Sequence, residues 1–323
     1  MGGLQSPPIL AFSTALRGRM QALSNSSRRW SLNSQKRRVM LFALMVAPVF
    51  IVRLITAAYP ILETVRLSFT NTDLIGRTNA FVGLENFSKI PVDPAMKSAF
   101  GFTIVYVLIT SAMQLIIGLL VALMLNATYT GRGFARAINL IPWAIPGIVA
   151  AHAFRWLLDD QFGLIPQWIY LLTNIRPVIF IAPLGAQVAV VLITLWKSVP
   201  FVSVLFLAGL QGVPMDLYEA AKVDGANAWQ RFWSITLPLV TPMLVTMSIF
   251  FVIGQLGNLD LAFGLTNGGP GTATATFALR IFQEGMGFFK FGYASAISVV
   301  LLIVVVLVGV LGLYVHRKVD INL

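Results

Sequence analysis

Few residues in this sequence could carry out catalysis or hold a metal. The chain has 323 residues and no cysteine, and its two histidines, His152 and His316, lie far apart in the sequence. A thiolate nucleophile, a disulfide framework and a zinc site are therefore not expected. The sequence contains no G-x(4)-G-K-[ST] motif either, so we expect no phosphate-binding loop for a nucleotide. These features predict a chain that is not itself an enzyme.

Polar side chains do occur inside long apolar runs. Lys197 lies in the segment LWKSVPF, and Gln255, Asn258 and Asp260 interrupt a second apolar run in the segment GQLGNLD. A cation at the centre of a bilayer costs about 2.5–3.5 kcal/mol, so we expect Lys197 either to line a water-filled pathway or to pair with a neighbouring helix. Contact with a solute and structural pairing are both open interpretations for these side chains.

Membrane-spanning helices are the elements that must position these residues. Hydrophobic residues make up 57% of the chain and charged residues only 11%, whereas soluble domains carry about 25% charged residues. A soluble fold of this length could not bury so much apolar surface. The net charge of +11 is concentrated near the N-terminus, which indicates membrane topology and not nucleic-acid binding.

Six segments are apolar over about 20 residues, which is the length that crosses a bilayer core. They predict an all-α fold, and their even number places both termini on one side of the membrane. With both termini inside, the cytoplasmic parts hold thirteen Arg and Lys residues and the outer loops hold seven. This bias predicts an N-in/C-in topology. The predicted spans are 39–59, 98–125, 136–158, 186–211, 238–260 and 292–315.

The spans divide the chain into a basic cytoplasmic tail at 1–38, a six-span membrane domain at 39–316 and a cytoplasmic C-terminus at 317–323. The apolar run behind the tail is too long for a cleaved signal peptide. Two prolines in IPWAIPG, residues 141–147, predict a bent or unwound start to the third span. Pro200 predicts a kink in the fourth span.

One loop, 213–237, has the pattern of two short helices joined by a glycine. Pro214 suits a first helical turn, Asp216 and Glu219 are favourable near a helix N-terminus, and Gly225 suits a C-terminal stop. A helix this short is unstable alone in water, so we expect it to rest on a surface. Its acidic residues disfavour an anionic lipid surface. A groove in a cytoplasmic partner protein is therefore the favoured interpretation.

The residue spacing in this loop resembles that of a known family. Glu219-Ala220-Ala221, Gly225, Ile235 and the pair Leu237-Pro238 fit the pattern E-A-A-x(3)-G-x(9)-I-x-L-P. This pattern resembles the signature loop of the permease subunits of binding-protein-dependent ABC importers. The segments FVGLENF, LWKSVPF and LTNGGPGTAT are similar to the sugar and glycerol-phosphate branch of these importers, and the T-x-G-G-P loop resembles that of a maltose-type first permease. The resemblance runs from about residue 40 to the C-terminus.

The resemblance implies a set of partners and a prokaryotic inner-membrane location. The chain would pair with a second homologous permease, two ATPase subunits and an extracytoplasmic solute-binding protein. ATP and Mg would be bound by the ATPase, and this chain would bind no cofactor. The first helix of the loop would be a coupling helix that docks on the ATPase, while Trp229, Phe232 and Trp233 would pack the second helix against the permease. The implied docking residues are Leu217, Tyr218, Glu219, Ala220, Ala221, Asp224 and Gly225.

The resemblance also implies import of a carbohydrate by alternating access, with a sugar, an oligosaccharide or a polyol such as glycerol phosphate as the solute. The sequence does not select among these solutes. An ion-coupled secondary transporter is the alternative, and it would need intramembrane carboxylates. The candidate residues of the solute pathway are Trp196, Lys197, Gln255, Asn258 and Asp260, with Trp143 and Gln114 as further candidates.

Overall fold

The computed structural model describes the backbone of residues 9–321 and the side chains of residues 36–318. Within these residues the chain is helical and has no β-sheet, only two isolated antiparallel bridges. This confirms the all-α class. The α-helices are α1 (Ile9–Ser68), α2 (Glu85–Lys89), α3 (Pro94–Asn126), α4 (Arg132–Asn139), α5 (Ile141–Ala144), α6 (Gly147–Leu157), α7 (Leu164–Thr173), α8 (Pro183–Gln211), α9 (Met215–Val223), α10 (Ala228–Arg231), α11 (Leu237–Leu256), α12 (Asp260–Thr266), α13 (Phe277–Phe282) and α14 (Phe291–Ile321), and two π-helical turns cover Phe232–Thr236 and Gln283–Gly287.

The chain consists of two units, residues 1–63 and 64–323. The first unit contains the greater part of α1, whose described side chains from Lys36 onward are mainly apolar and exposed. An exposed apolar helix of this length suits contact with lipid chains. Helix α1 extends back through much of the predicted basic tail. The side chains of residues 1–35 and 319–323, on which the predicted roles of the termini depend, lie outside the described residues.

Five helices in the described part of the chain are long and apolar enough to cross a membrane. They correspond to the predicted first, second, fourth, fifth and sixth spans. The fifth span differs at both ends, because it begins at Ala228 and ends at Leu256. Gly257 is a poor helix former and follows directly, and Asp260 then starts the separate helix α12. The prediction that the fifth span reaches residue 260 is therefore wrong.

The predicted third span is broken between α5 and α6. Residues 132–144 and α6 meet at an angle of 89° around Ile145 and Pro146. Pro146 disfavours the helical conformation of the residue before it, and Ile145 is extended, with φ −72° and ψ 130°. The bend predicted from the two prolines is confirmed. The described residues therefore contain five helices that could span a membrane, or six candidate spans if the bent pair is counted as one.

The core of the second unit is built on α3 and α8, which pack along their lengths. A methyl group on Gly118 would lie 2.5 Å from Val202 Cγ1, so a glycine at this position allows the two helices to approach closely. Helices α11 and α12 pack against this pair, and α14 packs against α11. Buried apolar clusters surround Ile193 at one level of the bundle and Phe206 at another.

The bundle has two ends. Helix α3 has 33 residues and is therefore about 50 Å long. Its C-terminus lies beside residues 212–236, and we refer to this region as the loop end. Its N-terminus lies beside residues 66–93 and 267–293, and we refer to this region as the far end.

Candidate functional site

Helix α9 forms the exposed part of the loop end. Its side chains Leu217, Glu219 and Ala220 are exposed, as are Asp224 and Gly225 directly after it. These are five of the seven residues predicted to dock on a partner. The remaining two, Tyr218 and Ala221, are half-buried. The helix therefore presents one open face and turns the other toward the bundle.

The C-terminus of α9 is closed by a Schellman motif. The Ala226 N–H donates to the Ala221 carbonyl at 2.9 Å, and the Gly225 N–H donates to the Lys222 carbonyl at 3.1 Å. Gly225 has φ +81°, a conformation that costs glycine little and other residues considerably more. The stop predicted at this glycine is confirmed. The sharp turn ends α9 and reverses the chain toward α10.

Two contacts attach the loop to the fifth span. The Tyr218 hydroxyl is 2.9 Å from the hydroxyl of Thr236, one residue before α11. Arg231 Nη1 donates to the Ala226 carbonyl at 2.6 Å. The second predicted helix is not a separate element, because α10 continues through the π-helical turn into α11. A force on α9 would therefore reach the fifth span through a short connection.

The aromatic residues of the loop pack mainly on one another. Trp229 contacts Phe232 and Trp233, with ring centroids 6.2 and 5.6 Å apart. Trp229 is 69% exposed and Trp233 is 51% exposed, so the prediction that they pack α10 against the rest of the chain is wrong for these two residues. Phe232 is half-buried. Exposed tryptophan is common where a membrane protein meets the headgroup layer.

Lys197 lies at the break in the third predicted span. Its Nζ donates to the carbonyl of Ile145 at 2.6 Å and to that of Trp143 at 3.1 Å. These carbonyls are at the C-terminus of α5, where intrahelical donors are missing and a cation is favourable. Lys197 thus pairs with a neighbouring helix through backbone carbonyls, and no ion pair of Lys197 is found among the described residues. Helix α8 runs unbroken through Pro200, three residues further on.

Asp260 and Asn258 lie near the other side of the same break. A methyl group on Gly147, the first residue of α6, would lie 2.9 Å from Asp260 Oδ2. The carboxylate is therefore close to the N-terminus of α6, where the helix dipole favours a negative charge. Asn258 Oδ1 accepts from the Asp260 N–H at 3.2 Å. The broken segment thus has a cation at the end of α5 and an anion at the start of α6.

Gln255 belongs to a buried polar cluster between three helices. The Tyr106 hydroxyl of α3 donates to Gln255 Oε1 at 2.9 Å and lies 3.2 Å from the Thr194 hydroxyl of α8. Gln114, two turns further along α3, is buried, and its Nε2 has no hydrogen-bond partner among the described residues. Gln255 and Gln114 are therefore inside the bundle, away from lipid.

The two candidate tryptophans each pack against one phenylalanine. Trp143 stacks on Phe201 with ring centroids 4.8 Å apart and planes at 11°. Trp196 meets Phe154 edge-on at 4.8 Å. Both indoles are partly exposed. The structure therefore brings Trp143 and Lys197 to the break in the helix, sets Trp196 against Phe154 of α6, and places Gln255 in a separate buried cluster.

The far end holds a buried ion pair that the sequence did not single out. Arg280 Nη2 donates to Glu284 Oε1, and both side chains are more than nine-tenths buried. Burial raises the pKa of Glu284, and the neighbouring Arg280 opposes that shift. The i,i+4 spacing of the two residues was visible in the sequence. Their burial was not visible, because it comes from α14 and α3 packing around them.

Comparisons with a family profile and with individual known sequences all match this chain to membrane components of transport systems. The sequence profile of one family, described as binding-protein-dependent transport system inner membrane component, matches residues 114–321. The trehalose/maltose transport system permease protein MalF of Thermococcus litoralis is 36% identical over 276 residues, covering 85% of this chain and 92% of that protein. The sn-glycerol-3-phosphate transport system permease protein UgpA of Agrobacterium fabrum is 30% identical over 271 residues, covering 81% and 90%.

A third relative and one solved structure extend the comparison. The sulfoquinovosyl glycerol transport system permease protein SmoG of Agrobacterium fabrum is 36% identical over 263 residues, covering 81% of this chain and 85% of that protein. A chain in the crystal structure of a bacterial alginate ABC transporter, bound to its alginate pentasaccharide-bound periplasmic protein, superposes with a TM-score of 0.78. It is 20% identical, with coverage of 88% of this chain and 96% of that chain. At this identity the superposition supports the fold alone.

Proposed function

The chain belongs to the family of binding-protein-dependent transport system inner membrane components, and we propose that it is a permease subunit of an ATP-driven importer of carbohydrate. It is a multi-pass protein of the inner membrane. Its proposed partners are a second homologous permease, two ATPase subunits and an extracytoplasmic solute-binding protein. ATP and Mg are bound by the ATPase in this proposal.

The observation that carries the proposal is the construction of α9. Its exposed face carries Leu217, Glu219 and Ala220, and its other face is attached to the fifth span through Tyr218 and Thr236. A short helix with an open face and an anchored back suits a groove in a partner protein. The small side chain of Ala220 permits close approach, and Glu219 can pair with a cation of the ATPase.

Transport then proceeds by alternating access between two populated states. Closure of the ATPase subunits moves α9, and the continuous path from α10 into α11 carries that movement to the fifth span. The solute-binding protein delivers its solute at the far end, which is extracytoplasmic if the predicted N-in/C-in topology holds. ATP hydrolysis resets the inward-open state.

A carbohydrate is the proposed solute because three similar proteins carry carbohydrate-related names: trehalose/maltose, sulfoquinovosyl glycerol and glycerol 3-phosphate. Gln255, Asn258 and Asp260 supply hydrogen-bonding groups where the fifth span ends, and Trp196 supplies an aromatic face. Lys197 is proposed to shape this pathway by holding the bent segment, and Trp143 and Gln114 remain further candidates. Gln255 could reach a solute only after its bond to Tyr106 is exchanged.

Coupling is tested by ATP hydrolysis of the reconstituted transporter with its solute-binding protein. Ala220→Phe adds a ring to an exposed position, so the chain should fold and insert normally while the ring blocks docking. Glu219→Ala removes the proposed ion pair. We expect both variants to lose binding-protein-stimulated ATP hydrolysis and solute uptake. Asp216→Ala, on the same helix but not among the predicted docking residues, is the control and should retain most activity.

Full stimulation in the Ala220→Phe transporter would contradict a docking role for α9. Uptake into vesicles separates the proposal from the ion-coupled alternative, because an ABC importer needs ATP and is indifferent to proton and sodium gradients. Solute contact is tested separately with Asn258→Ala. The expected result is a raised KM for uptake with unchanged basal ATP hydrolysis.

A further inference from the structure

A cleft of about 700 Å³ opens beside α9 at the loop end, and the proposed function does not use it. Leu120 and Leu123 of α3, Leu210 of α8 and Met215 of α9 supply much of its apolar wall. The last turns of two membrane-spanning helices therefore border the cleft. We infer from this position that the cleft lies near the membrane interface, because α3 and α8 are each longer than a hydrocarbon core of about 30 Å.

The charged groups of the cleft are cationic. Lys222 and Arg231 line it, and none of the described residues that line it is acidic. Lys222 is exposed and has no ion-pair partner among the described side chains. Arg231 uses Nη1 for the Ala226 carbonyl at 2.6 Å. The exposed indole of Trp229 also lines the cleft, and tryptophan is enriched at the membrane interface.

The cleft and the proposed docking face lie on different sides of α9. Met215, Tyr218 and Lys222 share the side that faces the cleft, as their helical spacing requires. Asp216 and Glu219, whose charges disfavour an anionic surface, are not among the residues that line it. One helix can therefore bind a partner protein on its open face and a negatively charged group on its back.

We propose that this cleft binds one anionic glycerophospholipid, with its phosphate between Lys222 and Arg231 and an acyl chain along Leu120, Leu123 and Leu210. Both cations bind phosphate through charge-assisted hydrogen bonds. The apolar wall favours a lipid over a soluble phosphate, because a free phosphate gains nothing from burying apolar surface. The inference requires only a membrane-spanning chain, so it can fail without affecting the proposed coupling or solute.

Native mass spectrometry tests lipid binding directly. The full-length protein, with the subunits that copurify with it, is delipidated and titrated with phosphatidylglycerol, phosphatidylcholine or inorganic phosphate. We expect phosphatidylglycerol to bind more tightly than phosphatidylcholine. The double variant Lys222→Gln/Arg231→Gln should bind phosphatidylglycerol about tenfold or more weakly, because each cation near an anionic lipid contributes substantially to binding. Arg132→Gln removes an exposed cation at the same end, outside the cleft, and should bind as the unmodified protein does.

A second measurement distinguishes the possible occupants of the cleft. Brominated phosphatidylglycerol should quench the Trp229 emission, obtained as the difference between the unmodified protein and Trp229→Phe. Equal phosphatidylglycerol binding by the double variant and Arg132→Gln would overturn the proposal. Displacement of the lipid by inorganic phosphate would also overturn it, in favour of a soluble-anion site. An unquenched Trp229 would overturn it by showing that the bound lipid lies outside the cleft.

Discussion

The two ends of the helix bundle are built in opposite ways. At the far end, Asn86 Nδ2 donates to the carbonyls of Ser68 and Thr70, and the Tyr293 hydroxyl donates to Asp93 at 2.9 Å. Several distant segments are tied together there by buried polar groups. At the loop end, α9 is largely exposed, and one hydroxyl pair between Tyr218 and Thr236 connects its side chains to the fifth span.

This difference suggests that the far end stabilises the fold, whereas the loop end couples the chain to its partner. Buried and fully paired polar groups make a region rigid, whereas exposed helices with few tertiary contacts open or shift at lower free energy. A segment that must dock on another protein and move with it belongs to the second kind. We therefore expect substitutions at the far end to change the free energy of unfolding, and substitutions at the loop end to change coupling.

The largest effect on stability is expected for Arg280→Met. This substitution leaves the buried Glu284 carboxylate without its cation and should lower the free energy of unfolding by about 3–5 kcal/mol. Lys89→Met is the matched control, because Lys89 and Glu85 form an i,i+4 pair that is about half exposed and should contribute about 0–1 kcal/mol. Thermal unfolding in detergent measures both. Equal losses would contradict the contrast between buried and exposed pairs.

The loss in Arg280→Met should also depend on pH. Burial raises the pKa of Glu284, and Arg280 is the main group that opposes this shift. Without Arg280 the folded-state pKa rises further above the unfolded value, so the folded chain binds the proton more tightly. Protonation of Glu284 therefore stabilises the folded variant at low pH, and this stabilisation is lost as pH rises through the folded-state pKa of Glu284. The destabilisation should therefore be larger at about pH 8 than at about pH 5, and Glu284→Gln should remove this dependence.

Lys197→Met should give the next largest effect. The substitution leaves the carbonyls of Trp143 and Ile145 without their charged donor, at a cost of about 1.5–3 kcal/mol. Lys97→Met, at an exposed lysine of α3, should stay within about 0.5 kcal/mol of the unmodified protein. An unchanged melting temperature with a raised KM for uptake would instead assign Lys197 to solute contact alone.

Tyr218→Phe tests the attachment of α9 to the fifth span and should have an intermediate effect on stability. Loss of the hydroxyl pair with Thr236 should lower the free energy of unfolding by about 0.5–1.5 kcal/mol. The ring remains in place, so α9 should still be present by circular dichroism. The amount of solute taken up per ATP hydrolysed should fall clearly, although the loss of stability is small. Normal coupling would show that movement reaches the fifth span through the backbone of α10 alone.

The smallest effect on stability is expected for Glu219→Ala, at an exposed position of α9 with no partner in the described residues. The melting temperature should correspond to a change within about 0.5 kcal/mol, even though stimulated ATP hydrolysis is expected to be lost. A large drop in the melting temperature would mean that Glu219 stabilises the chain itself, and would weaken its assignment to docking.

Several features were predictable because they depend on local residue order. Long apolar runs predicted the helices, two prolines predicted the break before α6, and a glycine predicted the end of α9. Each of these rests on backbone sterics or on hydrophobic length, which act within a few residues. The end of the fifth span was predicted less well. Gly257 and Asn258 favour a helix end, but the apolar sequence that resumes after them favours continuation of the span.

By itself the sequence determined the membrane class, the helical architecture and the family resemblance, because composition and local spacing carry this information. Only the tertiary structure decided which partner each buried polar group has. Lys197 binds carbonyls 52 and 54 residues away, and Gln255 bonds to a tyrosine 149 residues away. The same holds for the division of α9 into an open face and a face on the cleft. Pairings over such separations depend on how helices pack, and no local pattern specifies them.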